Sequence, residues 1–585
     1  MNLRQQTTDH LNVQNRALLS EIDSARRTQF DDMRPPFFQC RSRILMVADG
    51  SLDFSMSRSF GLGVFTKVIL DMALPMRTEV TLGVLGRTGS LMAGETRIKD
   101  RHTRFEFDDP AHFQPERFDL VLLFGFLNHF NYGDNFGVSR RQSHRGDHLM
   151  PAELDVLGRF MQSGGGVFVT GDHGELGRAM GERLPRAGRM RLWSRTATDE
   201  DDDQVSMTGP WRNDTNQRGD AGSQFEDQSD DVPQGIYPRT YHRESVIFRY
   251  SFPHPLLCGP NGPIRVMPDH PHEGECVEPT ERGELFPVGG VQVPEYPAST
   301  SGGPRPLPEV ISTSIVPGGN IAKGTSEDTR GSEKRPTIPH SFGGICAYDG
   351  HRAGVGRVVT DATWHHFLNV NLTGEKNLLD EYPSPIKELG FLASPAGQAH
   401  FEEIKSYYRN LVTWISRPEV HTCINVGWVV HAVASARVIE AVVSVPDVRV
   451  GDVSARTLRF IGVHALDVVG KAAGQCQSRR LLPWIAGLLG EAPELLPVTR
   501  EVDPWAPRSE EERTEPRGLG VVDLTPMFEV ALGAALIEAN GAIQGMDEVL
   551  DQPALLKALA TGFRQGLIVF RAEARTELDR AASYL

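Results

Sequence analysis

Three short apolar runs constrain the fold of this 585-residue chain more than any other feature. They are residues 43–50 (RILMVADG), 118–126 (FDLVLLFGF) and 167–173 (VFVTGDH). Each run is too short for an ordinary helix and is followed by glycine or polar residues, which is typical of strands buried on both faces of a parallel sheet. Residues 79–86 (EVTLGVLG) give a fourth strand of this kind.

Helical segments separate these strands. We expect helices near residues 63–73, at Pro151–Gln162 and at residues 177–183, the second ending at Ser163-Gly-Gly-Gly. Strands that alternate with helices at this spacing are joined by crossover connections and form a parallel α/β sheet. The predicted fold is therefore an α/β fold with a parallel sheet flanked by helices.

Composition divides the chain into three parts. Residues 1–42 are expected to form a helical extension, residues 43–418 the α/β domain, and residues 419–585 a mostly helical region. In this last part, segments 479–490 and 525–545 are apolar on nearly all faces and must be buried. They are either used in self-association, giving a homo-oligomer, or packed on each other and on the α/β domain.

Two long insertions interrupt the predicted α/β domain. Residues 199–231 carry eleven acidic and two basic residues, so we expect a solvated loop or a lid over the site, and not part of the core. Residues 280–340 are rich in Pro and Gly and are expected to form a long loop with one strand at 309–316. A further strand is expected at Arg357–Thr360.

Charge and hydropathy limit the classes of partner. The 61 basic and 76 acidic residues give a net charge of −15, which argues against a protein that coats nucleic acid. The N-terminus lacks the apolar stretch of a secretory signal. No apolar run is expected to reach the about 18 residues of a membrane span, and Val426–Val445 is interpreted as a buried helix. We therefore expect no membrane partner.

The six cysteines show no CxxC spacing. This pattern argues against a disulfide scaffold and against a cysteine-based zinc ribbon. It fits the reducing cytoplasm, which is the predicted location.

Polar side chains follow the predicted strands. Asp49 follows the first, Asn128 and His129 follow the third, and Asp172 and His173 follow the fourth. Ligands of open α/β sheets bind at the carboxyl ends of the strands, so this edge is the expected site. Asp172 and His173 occupy a strand-to-helix turn, where they either act on a substrate or, in the case of Asp172, cap the next helix.

The densest group of candidate ligands is PDHPHEGE, residues 268–275. In an extended chain His270 and His272 share one face, and Glu273 and Glu275 share the other. We expect His270, His272 and Glu275 to hold a divalent metal such as Zn, Mn or Fe, with Glu273 as a catalytic carboxylate. The alternatives are acid–base work by the two histidines and a polar loop whose histidines cap backbone groups.

A third group follows the strand at Arg357–Thr360. Asp361, His365 and His366 are candidate catalytic residues, and if the chain stays extended only one of the two histidines faces the cleft. The alternative is that the histidines pack with Trp364 in the core. We expect Asp172, His173, His270, His272 and one of His365 and His366 to converge in one cleft.

The order strand, helix, Gly-Gly-Gly, strand and tight turn resembles the class I glutamine-amidotransferase-like superfamily. The trehalose-utilisation type is the most similar, through His254-Pro255, Asp269-His270, and Gly354-Val-Gly-Arg-Val followed by His365/His366. The resemblance covers roughly residues 43–415 and implies a flavodoxin-like fold and a link to sugar chemistry. The turn carries Asp172 and His173 where true amidotransferases have a cysteine, so glutaminase activity is not expected.

Two functions follow from these patterns. The first is a hydrolase or lyase that acts on a small polar substrate, with carbohydrate as one class, through acid–base groups or a bound metal. The second is a catalytically inactive relative that serves as a binding or scaffold protein and assembles through its C-terminal helices. There is no GxGxxG after the first strand and no P-loop, so neither nucleotide-binding turn is indicated.

Overall fold

The computed structural model describes residues 40–72, 75–86, 89–127, 148–172, 175–193, 210–213, 233–244, 249–268, 274–281, 283–319, 336–374, 388–435, 438, 449–489, 503–506, 524–544 and 551–584. They form two compact units. The first contains Arg41–Arg239 and Ile264–Val420, and the second contains Cys40, Thr240–Pro263 and the chain from His421 onward. The predicted extension 1–42 lies almost wholly outside the described residues. The predicted domain boundaries stay a prediction, and the units differ from them in the placement of Thr240–Pro263.

The strands of the described chain are β1 Arg41–Ala48, β2 Arg77–Val84, β3 Ile98–His102, β4 Leu120–Phe124, β5 Gly166–Thr170, β6 Gln234–Pro238, β7 Thr240–Glu244, β8 Arg249–Pro253, β9 Cys258–Gly259, β10 Gly262–Pro263, β11 Val266–Met267, β12 Leu285–Val288, β13 Val291–Pro294, β14 Glu309–Val316, β15 His340–Tyr348 and β16 Val358–Asp361. Ten of them form one sheet in the order β11-β6-β14-β15-β16-β5-β4-β1-β2-β3. The six strands from β16 to β3 run parallel.

Burial explains why the parallel strands could be found in the sequence. All five residues of β4 and all five of β5 are buried, as the uninterrupted apolar runs predict. The predicted strands 43–50, 79–86, 118–126 and 167–173 are confirmed within a few residues.

The sheet is mixed, not wholly parallel as expected. Strands β15, β14, β6 and β11 extend it antiparallel beyond β16. Strand β14 matches the prediction for residues 309–316. The structure is therefore an α/β protein with a large, mostly parallel sheet.

Within the described residues the helices are α1 Gly63–Leu70, α2 Pro151–Gln162, α3 Arg178–Gly181, α4 Asn369–Thr373, α5 Pro395–Ile415, α6 Pro418–Ala434, α7 Ala455–Ala473, α8 Gln475–Arg479, α9 Leu481–Gly487, α10 Thr525–Gln544 and α11 Gln552–Ala582. Helix α2 has the predicted bounds, since Pro151 opens it and the glycines after Ser163 end it. Helix α5 is capped by the Ser394 side chain, which accepts a hydrogen bond from the Gly397 N–H.

The two insertions contain more structure than expected. Strands β12 and β13 pair as a hairpin whose two-residue turn, Gly289-Gly290, has φ of 57° and 79°. Both residues lie in the left-handed region that a tight hairpin turn of this kind requires. Of the acidic segment, only residues 210–213 are described, and there Arg212 and Asn213 are buried. These two residues are therefore not solvated, and the expectation of a lid stays a prediction.

The helices of the second unit pack closely around α10. A Cβ on Gly533 of α10 would lie 1.9 Å from the Leu458 carbonyl oxygen of α7, and a Cβ on Gly462 would lie 2.0 Å from the Glu529 carbonyl oxygen. Helix α11 packs on α10 as well. The small residues of segment 525–545 are therefore used for close packing inside this unit, as one of the two alternatives predicted, while self-association stays a prediction.

One described helix, over Thr525–Ile543, is long and apolar enough to cross a membrane by length and composition alone. The sequence expectation that no run reaches this length is wrong by that criterion. The helix is 56% buried within the protein.

Four of the six cysteines form disulfides, Cys40–Cys423 and Cys258–Cys476. Cys276 and Cys346 are free thiols and are buried. The cysteine spacing does not indicate these bonds, because their partners are 383 and 218 residues apart in the chain. The cytoplasmic location, which was inferred from the same spacing, stays a prediction.

Candidate functional site

Strands β5 and β16 bring two carboxylates to one edge of the sheet. Thr170, the last residue of β5, pairs in register with Asp361, the last residue of β16. Asp172 lies two residues beyond Thr170, and both Asp172 and Asp361 are fully buried. The carboxyl ends of these neighbouring strands are where an open α/β sheet binds its ligands.

His365 lies between Asp172 and Asn371. The His365 Nε2 atom is 3.5 Å from Asp172 Oδ2, and its Nδ1 atom is 3.0 Å from Asn371 Oδ1. An amide oxygen only accepts hydrogen bonds, so Nδ1 donates to it and the Nε2 atom faces the carboxylate. The contact with Asp172 is then favourable only when one of the two groups carries an additional proton.

The two adjacent histidines lie in a short helical turn, Trp364–His366. The Thr363 hydroxyl opens the turn by accepting a hydrogen bond from the His365 N–H. The expectation of an extended chain is therefore wrong here, while the expectation that only one histidine faces the cleft stays a prediction. The rings diverge: His365 contacts Asp172, and His366 contacts Asp361.

His366 belongs to a second, separate network. Its Nδ1 atom is 2.8 Å from Asp361 Oδ1, and its Nε2 atom is 3.1 Å from Gln234 Oε1. The Tyr407 hydroxyl donates to Asp361 Oδ2 at 2.8 Å, and the Tyr408 hydroxyl donates to the His366 carbonyl oxygen. Burial raises the pKa values of both tyrosines well above the ordinary range, so both hydroxyls remain donors. These hydrogen bonds hold the turn Trp364–His366 in place.

Aromatic rings line the other side of His365. The Trp364 ring centroid is 4.1 Å from that of His365, and the Phe60 and Phe126 rings lie 5.6 Å and 5.4 Å from Trp364. Phe60 and Phe126 are partly exposed, whereas Trp364 is buried. The Trp364 Nε1–H has no acceptor among the described residues. A buried indole N–H normally has a partner.

Asp49 follows β1, which pairs with β4 at the point where the strand order reverses direction. Its Oδ2 atom accepts hydrogen bonds from the Phe126 and Leu127 N–H groups, and its Oδ1 atom from Ser51 and Leu52. Burial raises the pKa of Asp49, although these four donors favour the charged carboxylate. Asp49 therefore fixes Phe126, which forms part of the aromatic wall.

Arg191 ties the ends of β5 and β16 together. Its Nη2 atom donates to the Asp172 carbonyl oxygen and, at 2.8 Å, to the Ala362 carbonyl oxygen. The backbone of Glu275 runs beside it, since the Glu275 carbonyl oxygen accepts from the Leu192 N–H. The C-terminal end of PDHPHEGE therefore reaches the edge that carries Asp172.

The structure places the sequence candidates as follows. Asp172 and His365 are brought together, whereas Asp361 and His366 form the neighbouring network. His173, His270, His272 and Glu273 lie outside the described residues, so their convergence on the cleft stays a prediction. Among the residues that the structure describes, no group of three or more His, Cys, Asp and Glu is arranged to hold a metal ion.

One alternative from the sequence is decided. The helix after the turn is capped by Gly177 and not by the Asp172 side chain, so the capping interpretation of Asp172 is wrong. His254 belongs to the second unit, where its Nδ1 atom accepts a hydrogen bond from the Leu256 N–H and caps the turn Pro255–Leu257.

Three residues of these two networks were not predicted from the sequence, namely Asn371, Gln234 and Tyr407. Asn371 follows His365 by six residues in HHFLNVNL, and its position beside a histidine-rich strand end was the only local signal. Gln234 and Tyr407 are 132 and 46 residues from their partners, and no local pattern indicates them.

Comparison of the chain with protein-family models, with curated proteins and with solved structures found no match.

Proposed function

We propose that the first unit is an enzyme of the hydrolase or lyase type that acts on a small polar substrate. The pair formed by Asp172 and His365 is its acid–base group. The observation that carries this proposal is the placement of His365, whose ring is oriented by Asn371 on one nitrogen and faces a buried carboxylate with the other. A base oriented by a third group is the arrangement that proton-transfer catalysis requires.

The chemistry of the pair follows from its geometry. Asp172 and His365 share a proton, so one accepts a proton from the substrate or from water while the other supplies one. The Trp364 indole N–H lies beside His365 and would donate to an oxygen atom of the substrate. The partly exposed Phe60 and Phe126 rings would form the apolar wall against which a sugar ring or similar body lies.

We further propose that the unit is of the flavodoxin-like, class I glutamine-amidotransferase-like kind, of the trehalose-utilisation type. Without the edge strand β3, the parallel strands β2-β1-β4-β5-β16 have the order 2-1-3-4-5 when numbered along the chain, which is the flavodoxin-like order. Asp172 follows β5, where an amidotransferase carries its cysteine, so glutamine is not the expected substrate.

The experiment compares the purified full chain with His365→Gln on a panel of p-nitrophenyl glycosides, sugar lactones and L-glutamine. We expect turnover of a sugar derivative and none of glutamine. His365→Gln should reduce turnover roughly 100-fold to 10,000-fold, the usual contribution of a general acid or base. The matched control is His102→Gln. His102 lies on the edge strand β3, and strands β4, β1 and β2 separate β3 from β5 and the site.

The second candidate is the inactive binding or scaffold protein. It is favoured by the burial of the pair, since His365 is 2% exposed and Asp172 is fully buried. If the panel compounds bind the wild type and His365→Gln equally well and none is turned over, the scaffold function replaces the enzyme.

A further inference from the structure

Arg186 is a buried cation in the first unit that takes no part in the proposed reaction. It lies in the loop after α3, its backbone φ is +63°, and none of its surface is exposed. Its Nη2 atom donates to Gln162 Oε1 at 2.7 Å, and its Nε atom donates to the Glu295 carbonyl oxygen at 2.8 Å. The guanidinium group also lies over the Phe286 ring, 5.1 Å from its centroid.

The charge of Arg186 has no carboxylate in contact with it among the described residues. The nearby Glu295 is used otherwise: its Oε1 atom accepts from the Arg186 backbone N–H, and its Oε2 atom is 3.1 Å from Arg189 Nε. Burial lowers the pKa of Arg186 to about 10, so the guanidinium still carries its charge at neutral pH. Buried charges are normally paired, because removal of an ion from water costs several kcal/mol.

Two hydrogen-bond donors remain next to this charge. Arg186 Nη1 and the Tyr348 hydroxyl are both buried, and neither has a hydrogen-bond partner among the residues described. Tyr348 lies near Arg186, because the two groups interact electrostatically and its ring is 5.1 Å from that of Tyr296, whose hydroxyl donates to the Arg186 carbonyl oxygen at 3.0 Å. Burial also raises the pKa of Tyr348, so its hydroxyl stays protonated.

We propose that Arg186 Nη1 and the Tyr348 hydroxyl bind a small monovalent anion, with chloride as the simplest member of this class. Such an ion accepts a hydrogen bond from each donor and neutralises the guanidinium charge. A water molecule would complete the same hydrogen bonds but would bring no negative charge into contact with the guanidinium. The residues around the site come from the end of α2, the β12–β13 hairpin region and the end of β15, so the anion would hold the Pro/Gly-rich insertion onto the sheet.

The first test is the thermal unfolding of the full chain in sodium chloride and in sodium gluconate at equal ionic strength. Gluconate is too large for a buried site, so we expect a higher unfolding temperature in chloride. Tyr348→Phe removes one donor without adding bulk and should weaken the apparent affinity for chloride roughly tenfold. Tyr237→Phe, at an exposed tyrosine of β6, should keep the wild-type response. Equal unfolding temperatures in the two salts for the wild type would overturn the proposal.

The second test does not depend on how the variants fold. Crystals of the wild-type chain grown with bromide in place of chloride should show an anomalous peak within hydrogen-bond distance of Arg186 Nη1 and the Tyr348 hydroxyl. A water molecule at that position without anomalous signal would overturn the proposal.

Discussion

At the scale of single residues, arginine side chains of the first unit connect segments that are far apart in the sequence. Arg191 joins the ends of β5 and β16. Arg357, in the Gly-Val-Gly-Arg-Val segment, donates to Asp349 Oδ1 at 2.7 Å and to the Trp414 carbonyl oxygen at 2.8 Å, and its guanidinium lies over the Trp414 ring. The arginine of this motif therefore has a structural role, in which it connects the end of β15 with α5.

Asp349 should make stability depend on pH. Burial alone would raise its pKa, but the Arg357 and Arg352 guanidinium groups outweigh burial and hold the pKa well below its ordinary value of 3.8. A depressed carboxyl pKa stabilises the fold above the unfolded-state value, and this stability is lost as the pH falls through the folded-state value. Asp349→Asn should lower the free energy of unfolding by about 1–3 kcal/mol at pH 7, with a smaller difference at pH 3.

Urea unfolding of the wild type and Asp349→Asn at both pH values measures this effect. The control is Asp71→Asn, since Asp71 is 51% exposed and its ion pair with Arg97 should contribute little at either pH. A difference between wild type and Asp349→Asn that stays constant from pH 7 to pH 3 would contradict the assignment.

At the scale of elements, the crossing of α7 and α10 depends on two glycines that face each other's helix backbone. Gly462 and Gly533 each lie where a Cβ would meet a carbonyl oxygen of the other helix at 2.0 Å or less. Such distances leave no room for even one carbon atom, so the helices would have to separate. The short distance between the two helices also explains why α10 is rich in Ala and Gly.

Gly533→Ala should therefore destabilise the second unit by about 1–3 kcal/mol, the usual cost of overpacking. The matched control is Gly541→Ala on the same helix, where a Cβ would meet nothing within 4 Å. This control should be neutral or slightly stabilising, because alanine favours helix over glycine. Thermal unfolding of the three proteins compares them, and equal unfolding temperatures for the two variants would contradict this account of the crossing.

The sequence predicted those elements whose signal is local. Buried parallel strands such as β4 show as continuous apolar runs, and α2 shows through its terminal Pro and Gly residues. Strand β14 was predicted, but the antiparallel pairing of the extension was not, because strands such as β6 are short and pair with residues far along the chain. The β12–β13 hairpin was missed although Gly289-Gly290 between apolar residues is a recognised hairpin signal.

The candidate site was only partly predictable for the same reason. Asp172 and His365 were named from their places after strands, which is a local property. That they meet, and that His366 turns to Asp361 instead, depends on the register of β5 with β16 and on the helical turn Trp364–His366. No local pattern in a single sequence predicts the register of β5 with β16.

At the scale of the whole molecule, the disulfides connect distant parts of the chain. The segment around Cys258 is bonded to α8 through Cys476, and the Gln477 side chain donates to the Pro255 carbonyl oxygen at 2.8 Å in the same place. A bond that closes a loop of this length stabilises the folded chain by several kcal/mol in the chain-entropy account. These bonds are favoured in an oxidising compartment.

Thiol titration of the chain, denatured without reductant, should give two free thiols, from Cys276 and Cys346. Reduction before titration should raise the count to the six cysteines of the sequence. Six free thiols without reduction, from protein purified under oxidising conditions, would contradict the disulfide assignment.

The central claim is that Asp172, His365 and Asn371 form one proton-sharing site for a substrate. The most direct measurement is the ¹H–¹⁵N spectrum of the histidine rings in the intact chain, with and without the panel compound that is turned over. We predict a His365 Nδ1–H signal that is lost or shifted in Asn371→Leu, that moves in Asp172→Asn, and that shifts when the compound binds. A His365 signal that responds to neither substitution nor to the bound compound would contradict the account.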